Sequence, residues 1–395
     1  MRADPTTYTA LSATAAMPCS APLAGIRLHG PSAGAVAQCT QAFLQQLDAL
    51  ELRQCVELPI SPPADGSGFE QRFQLRSDLA RIWAPELDTT SLHLHLKQGT
   101  APSEYDLDRE IVSSMLLSPL GFDFPSYAEL AAAVRIRRNI VVAARKTTLA
   151  FGTAEADRPD DSWTYVDDKG FTVKAGCALI AALIKATQPE VSGRRYSFSC
   201  YRATEYVILL AIAQELERSN PPLLARLQHQ WETRPIMSGQ FHDVFLHEYG
   251  TMQAPLPPKY YVPGDRLWFR NPDAHSSDAS GYEGSWVFYL GGGRFTNFWK
   301  QGQSFTLTDK CVEIFHWRHA TFTDSEGELR INEDIVEQRV AQTLLDAALT
   351  AEVMQQMLRL RDAQGVYDKG GCIDATREAP RTVCPGTAAI VLPAN

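Results

Sequence analysis

The sequence predicts an α+β fold, on three observations. A well-capped amphipathic helix pattern begins at Ser126 and runs to Val142. A long and strongly apolar helix pattern runs from Cys200 to Glu217. Strand patterns occupy other stretches, as a hairpin over 162–174 and as separate runs over 241–249, 260–270 and 285–291.

In chain order, residues 1–25 are rich in Ala, Thr, Ser and Pro and read as flexible. A helix is predicted over 35–58, with Phe43, Leu44, Leu47 and Leu50 on one face, and Ser61 to Gly68 then breaks the chain. Leu92 to Leu96 alternates with His93 and His95 and reads as a strand; two histidines on one face suit a metal, though a solvent-facing surface is the commoner meaning. Residues 106–118 read as helical. In the next helix Ser126 is the cap, Glu129 holds the capping-box position, and Arg135, Arg137, Arg138 and Arg145 read as a solvated basic face. The hairpin alternates through Trp163 and Tyr165, turns at Asp167 to Gly170, and returns through Phe171 and Val173. A short apolar helix over 176–187 and a loop from Gly193 to Ser199 lead into the Cys200 helix, which Ser219-Asn220-Pro221-Pro222 ends. The glycine run Gly291 to Gly293 turns the chain into a strand near 294–299. Residues 333–362 read as a helix or helix pair, and the last thirty as irregular. There is no internal repeat.

Composition bounds the function. The chain has 395 residues and a formal net charge of −9, which does not advertise nucleic-acid or anionic-membrane binding. The eight cysteines include no CxxC pair and no zinc spacing, so mostly free thiols in a reducing compartment are expected, with Cys372 and Cys384 able to bridge in an oxidising one. No cofactor and no metal are called for. The first residues lack a basic and then apolar leader, and no apolar run approaches a bilayer span, so the protein is expected in the cytoplasm or exported without a cleaved signal.

Cys200 is the candidate nucleophile. It sits where a loop becomes a buried helix, so amide N–H groups and the positive end of the helix dipole favour a thiolate there. A buried cysteine that merely fills a helix start is the plainer alternative.

Five segments then resemble one family in order. They are Ser118 to Leu130 with Arg138 to Ala144; Trp163 to Phe171; Tyr196 to Cys200; Tyr261-Val262-Pro263-Gly264-Asp265 through Asp273; and Tyr282-Glu283-Gly284 through Gly291. Together they resemble the spore-coat type of bacterial protein-glutamine gamma-glutamyltransferase over about 115–300, whose fold is related to the papain and NlpC/P60 cysteine hydrolases. The resemblance implies a papain-like core, here at 106–310, with an N-terminal extension over 1–105 and a helical C-terminal extension over 311–395. It also implies a reaction in which cysteine attacks a glutamine carboxamide, ammonia leaves, and an amine such as a lysine of a protein partner takes the acyl group.

This chain departs from the family pattern at three positions. Ser199 stands where the family has a glutamate before its cysteine, Ser285 where it has a glutamate after the glycine, and Asn297 where it has a histidine. Glu283 is two residues from Ser285, on the same face of a period-2 strand, and is the candidate replacement carboxylate, with an ordinary exposed glutamate the equal alternative. Glu205, inside the apolar helix, is expected to pair with Arg202 in a structural role. His242, His247 and Glu248 lack the HExxH spacing of a metalloprotease. His316 and His319 could supply an imidazole, and more commonly would be ordinary polar residues outside the core. A glutamine deamidase or other cysteine amidohydrolase, acting as an effector on another cell's proteins, and a non-catalytic binding module on the same fold are the two rival readings.

Overall fold

A computed structural model of the chain describes residues 23–59, 69–96, 104–152, 156–167, 169–362 and 371–393. The expected flexible start before residue 23, the break at Ser61 to Gly68 and the hairpin tip at Asp168 lie outside the described residues. The mixed helices and strands are those of the α+β class. Among the described residues no helix is long and apolar enough to cross a membrane.

The chain opens with β1 (Ile26–Gly30), α1 (Ala33–Ala49), β2 (Val56–Glu57), β3 (Phe69–Leu75), α2 (Ser77–Trp83), α3 (His93–Leu96), α4 (Glu104–Leu116) and β4 (Phe122–Phe124). Four of these make one sheet in the order β2-β3-β1-β4, with β1 antiparallel to β3 and parallel to β4. The expected strand at Leu92 to Leu96 is instead the helical turn α3. Leu92 and Leu96, one turn apart, are both buried, whereas Leu94 is 68% exposed, which is helical and not period-2 spacing. His95 stacks on Trp83 with ring centroids 6.2 Å apart.

Next come α5 (Tyr127–Lys146), β5 (Ala150–Phe151), the hairpin β6 (Trp163–Val166) and β7 (Gly170–Val173), α6 (Leu179–Thr187), α7 (Pro189–Ser192), β8 (Ser197–Phe198) and α8 (Cys200–Ser219). The middle of α8, from Ala203 to Ala213, is buried on every side, as the apolar run from Tyr206 to Ala213 requires. α5 packs along it. Ser126 caps α5 as expected, accepting the Glu129 N–H at 3.2 Å. Glu129 does not close the capping box. Its carboxylate accepts the N–H groups of Val383 at 3.0 Å and Cys384 at 2.8 Å, and so clamps the C-terminal segment onto the core.

The basic face of α5 is not solvated. Arg135 pairs with Glu215 at 2.6 Å, Arg138 with Asp108 at 2.7 Å, and Arg137 with Asp265 at 2.6 Å. The last pair is buried on both sides, with side-chain exposures of 3% and 0%. Asp265 also accepts the Val262 N–H at 2.8 Å, and Arg137 donates to the Pro263 carbonyl at 3.3 Å. Gly264 has φ +88°, and a Cβ there would fall 2.8 Å from the Arg137 Cα, so the Pro-Gly-Asp turn needs glycine for both its conformation and its close approach to α5.

After α8 the chain forms α9 (Pro221–Thr233), α10 (Ser238–Phe245), β9 (Leu246–Tyr249), β10 (Arg266–Arg270), α11 (Ala274–Ser277), β11 (Gly284–Phe288), β12 (Phe295–Thr296), β13 (Ser304–Phe305), α12 (Leu307–Trp317), β14 (Thr321–Thr323), β15 (Leu329–Ile331), α13 (Glu333–Leu345), α14 (Ala347–Met357) and β16 (Arg377–Pro380). The expected strand over 241–249 is half helix, because Phe241 and Phe245 bury the same face one turn apart. The tail read as irregular supplies β16, which lies inside the second sheet in the order β11-β10-β16-β9. With the sequence Arg-Glu-Ala-Pro it has no apolar alternation to reveal it. Among the described residues the cysteines are free, as expected for a reducing compartment, and the Cys372–Cys384 bridge that an oxidising one would allow is not formed. Cys372 lies with its sulfur 3.4 Å from that of Cys311, Cys384 sits by Glu129, and all three are free thiols.

The N-terminal segment, expected to be a separable appendage, shares one apolar core with the rest: Leu28, Phe43 and Phe73 are buried in the same cluster as Leu130, Leu209 and Leu290. Two predictions follow from this packing. A chain beginning at residue 106 leaves that core open and removes three strands of the first sheet, so it is expected to be insoluble or to melt without a cooperative transition in calorimetry; a sharp, native-like transition would show that the segment is dispensable. Asp265→Asn leaves Arg137 as an uncompensated buried charge and is expected to cost about 3–5 kcal/mol in urea unfolding, and a loss below about 1 kcal/mol would contradict the role given to the pair.

Candidate active site

Cys200 is placed from both sides. Ahead of it, β8 pairs in parallel with β5, Ala150 opposite Ser197 and Phe151 opposite Phe198. Ser199 then caps α8 by accepting the Arg202 N–H at 3.2 Å, which makes Cys200 the first helical residue. From across the site β11 approaches, with the Trp286 ring edge to face on that of Tyr201, 5.3 Å between centroids, and the backbone N–H groups of these two residues pull the Cys200 thiol down. Lys310, on α12, and Arg266, at the start of β10, are the cations that act on it.

Burial opposes these groups and outweighs them. It pushes the Cys200 thiol up from its ordinary value, while the two amides and the two cations pull it down. Ser199 caps the helix start expected from the sequence, and desolvation of the half-buried sulfur opposes the thiolate that start was expected to favour.

Arg266 is held firmly. Its guanidinium is 1% exposed and lies 4.4 Å from the Tyr201 ring centroid and 4.2 Å from that of Trp286. Its Nη1 donates to Glu378 Oε2 at 2.8 Å, across a register in which Arg266 and Glu378 stand directly opposite on β10 and β16. His242 Nδ1 lies 3.0 Å from the other Glu378 oxygen. His242, Glu248 and Glu378 each place one potential ligand atom within 4.8 Å of the others, a set that could hold a cation. Glu378 is already engaged by Arg266, which lessens what it could offer a metal.

The other residues singled out in the sequence fall as follows. Ser285 lies in β11 opposite Phe269, next to Trp286. Glu283 precedes β11, is exposed, and its carboxylate accepts the Gly281 N–H at 3.4 Å. Glu205 is buried and paired with Arg202 at 2.6 Å, as expected, and also accepts from Ser238 Oγ at 3.2 Å; burial pushes its carboxyl up. Asn297 accepts the Trp299 N–H at 3.1 Å and lines a separate cavity. His316 lies 3.1 Å from His319 and 2.7 Å from the Thr343 hydroxyl, and burial lowers it to about 4.

That separate cavity has a volume of about 480 Å³ and is walled in part by Glu110, Arg145, Leu290 and Asn297. Burial raises Glu110 to about 7, against the Gly292 N–H and the Tyr289 hydroxyl, which donate to it. Cys200 is not among its described walls.

Sequence reasoning missed Arg266, Lys310, Glu378 and the Trp286 amide. Arg266 left a signal, as a charge at the head of the apolar run Leu267-Trp268-Phe269 directly after Pro-Gly-Asp. Glu378 left none, because its strand is not legible as one.

Comparison with known proteins adds to this geometry. Residues 88–377 match the family model described as "Protein-glutamine gamma-glutamyltransferase". The match crosses both unit boundaries expected from the sequence, at 105/106 and at 310/311. A protein-glutamine gamma-glutamyltransferase of Halalkalibacterium halodurans is 24% identical over 195 residues, which are 48% of this chain and 62% of that relative. The chain therefore spans less than two thirds of that relative's length. A solved transglutaminase from Geobacillus stearothermophilus, without its C-terminal extension, aligns at 19% identity and a TM-score of 0.37, covering 54% of this chain and 98% of that one.

Proposed function

The chain belongs to the protein-glutamine gamma-glutamyltransferase family, and from that premise we propose that it transfers the acyl group of a protein glutamine side chain through a thioester on Cys200. The observation that carries the reading is the setting of that residue, first in α8 behind the Ser199 cap, where Tyr201 meets Trp286 of β11 and the buried Arg266 packs on both rings.

In this mechanism the sulfur attacks the carboxamide carbon of glutamine. A C–S bond forms, the C–N bond breaks, and ammonia leaves with the proton that the thiol gave up. An amine, such as a lysine side chain of a protein partner, then attacks the thioester carbon, an isopeptide bond replaces C–S, and the thiol is restored. Water in place of the amine gives deamidation. The Trp286 and Tyr201 amides support the attacking thiolate and the charge that develops beside it. Because burial disfavours the resting thiolate, the proton must leave as substrate docks. Ser285 and Asn297 cannot take it at neutral pH. Glu283 is carried forward as the candidate base, since its exposure leaves it free to meet an arriving substrate. The raised Cys200 thiol also gives the binding-module reading its one specific support.

Two substitutions test these roles. Cys200→Ala is expected to abolish both incorporation of a fluorescent amine into a glutamine-bearing protein and ammonia release, with an unchanged circular dichroism spectrum; full activity would end the proposal. Loss of amine incorporation alone, measured on the unmodified chain with ammonia release retained, would identify a deamidase. Glu283→Gln keeps shape and removes charge, so a positioned base there predicts a fall of about 10² to 10⁴ in kcat/KM, and a change under about threefold takes Glu283 out of the mechanism.

A further inference from the structure

We propose that Arg266 is the positioning residue that holds Cys200 as a thiolate when it reacts, and that Glu378 sets how strongly it does so. The inference rests on Cys200 being the nucleophile. It assigns a cation to work for which the family resemblance leads one to expect titratable helpers, at positions that here carry Ser199, Ser285 and Asn297.

The geometry ties Arg266 to the sulfur through two residues. Tyr201 follows Cys200 directly in α8 and Trp286 lies on β11, and the Arg266 guanidinium packs against the rings of these two residues, at 4.4 and 4.2 Å. Those rings meet edge to face, with centroids 5.3 Å apart. The cation, the residue after Cys200 and β11 thus meet in one aromatic frame beside Cys200. Arg266 is the first residue of β10, set by the buried Asp265 immediately before it.

Its charge is only partly spent. Nη1 donates to Glu378 at 2.8 Å, whereas Nε and Nη2, both buried, have no hydrogen-bond acceptor among the described residues. A buried guanidinium with one carboxylate partner keeps a field that a nearby forming anion would feel strongly, because little water screens it. Glu378 subtracts from that field, and His242 in turn draws on Glu378. The other charged groups around the site are Lys310 with its partner Glu313, and on α8 itself Glu205 with its partner Arg202.

The plainer role for Arg266 is a clip between β10 and β16. The two roles differ in sign. If Arg266 is only a clip, breaking the pair from either side has one effect on Cys200, or none. If it acts on the thiolate, removing the cation and removing its carboxylate push Cys200 in opposite directions.

The test is the rate at which iodoacetamide alkylates Cys200 in the folded full chain, followed from neutral to alkaline pH by peptide mass spectrometry. Arg266→Gln is expected to move the profile to higher pH, with the neutral-pH rate falling about tenfold. Arg266→Lys should recover part of that rate. Glu378→Gln is expected to move the profile to lower pH and raise the neutral-pH rate. The double variant Arg266→Gln with Glu378→Gln leaves no unpaired buried charge and should behave like Arg266→Gln, which covers the case in which the single variant fails to fold. Shifts of Arg266→Gln and Glu378→Gln in the same direction, or none beyond about twofold, would overturn the proposal. No glutamine substrate is used, so this test can fail while acyl transfer stands, and acyl transfer can fail while this test succeeds.

Discussion

The buried pair of Arg137 and Asp265 is the constraint on which the site depends. Arg137 comes from α5, the helix that packs along α8, and Asp265 from the turn that launches β10. One contact therefore fixes the second sheet relative to the helix that carries Cys200. Asp265 also gathers the Val262 amide, and Gly264 lets the turn come close enough for the pair to form. Two full charges taken out of water repay their desolvation only when geometry is good and further hydrogen bonds are made, and here Arg137 Nη1 makes two and each Asp265 oxygen accepts one. Such a pair is better understood as fixing one arrangement than as adding net stability. What it fixes is a register: β10 pairs with β11, so placing Asp265 places Arg266, and placing β11 places Trp286 against Tyr201, the residue after Cys200.

The site then poses a problem of competing electrostatic effects. A nucleophilic thiol gains from being buried, because its carbonyl target is polarised more effectively away from water. The same burial raises the cost of the thiolate. Two amides, a helix start and two cations answer that cost in part, and burial remains the largest influence on the thiol. In the proposed acyl transfer, a cysteine set in this way would be activated as the glutamine side chain enters.

Much of this was legible in the sequence, and what was not has a physical reason. The α5 and α8 helices, the β6–β7 hairpin, the Ser126 cap and the pairing of Arg202 with Glu205 follow from local periodicity, capping and helix spacing, which a single sequence displays. The basic face of α5 misled, because charges at helical spacing look solvated until their partners, Glu215, Asp108 and Asp265, arrive from distant parts of the chain. β16 was illegible for a related reason. Its residues are chosen for their neighbours, Glu378 for Arg266 and His242, and not for a period. The clamp of Glu129 on Val383 and Cys384 likewise converts a tail that reads as loose into part of the core. Position 200 could be singled out from the sequence, but the cation frame around it is built from long-range contacts that no local pattern records.

The central claim is that Cys200 carries the acyl group, and the most direct measurement is capture of that intermediate. The full chain would be mixed with a glutamine-bearing peptide in the absence of any amine, quenched in acid and digested, and the Cys200 fragment weighed. The account predicts an adduct on Cys200 equal to the peptide less ammonia, which is lost on treatment with hydroxylamine. No adduct on Cys200 under conditions in which ammonia is released, or an adduct on another cysteine, would contradict it.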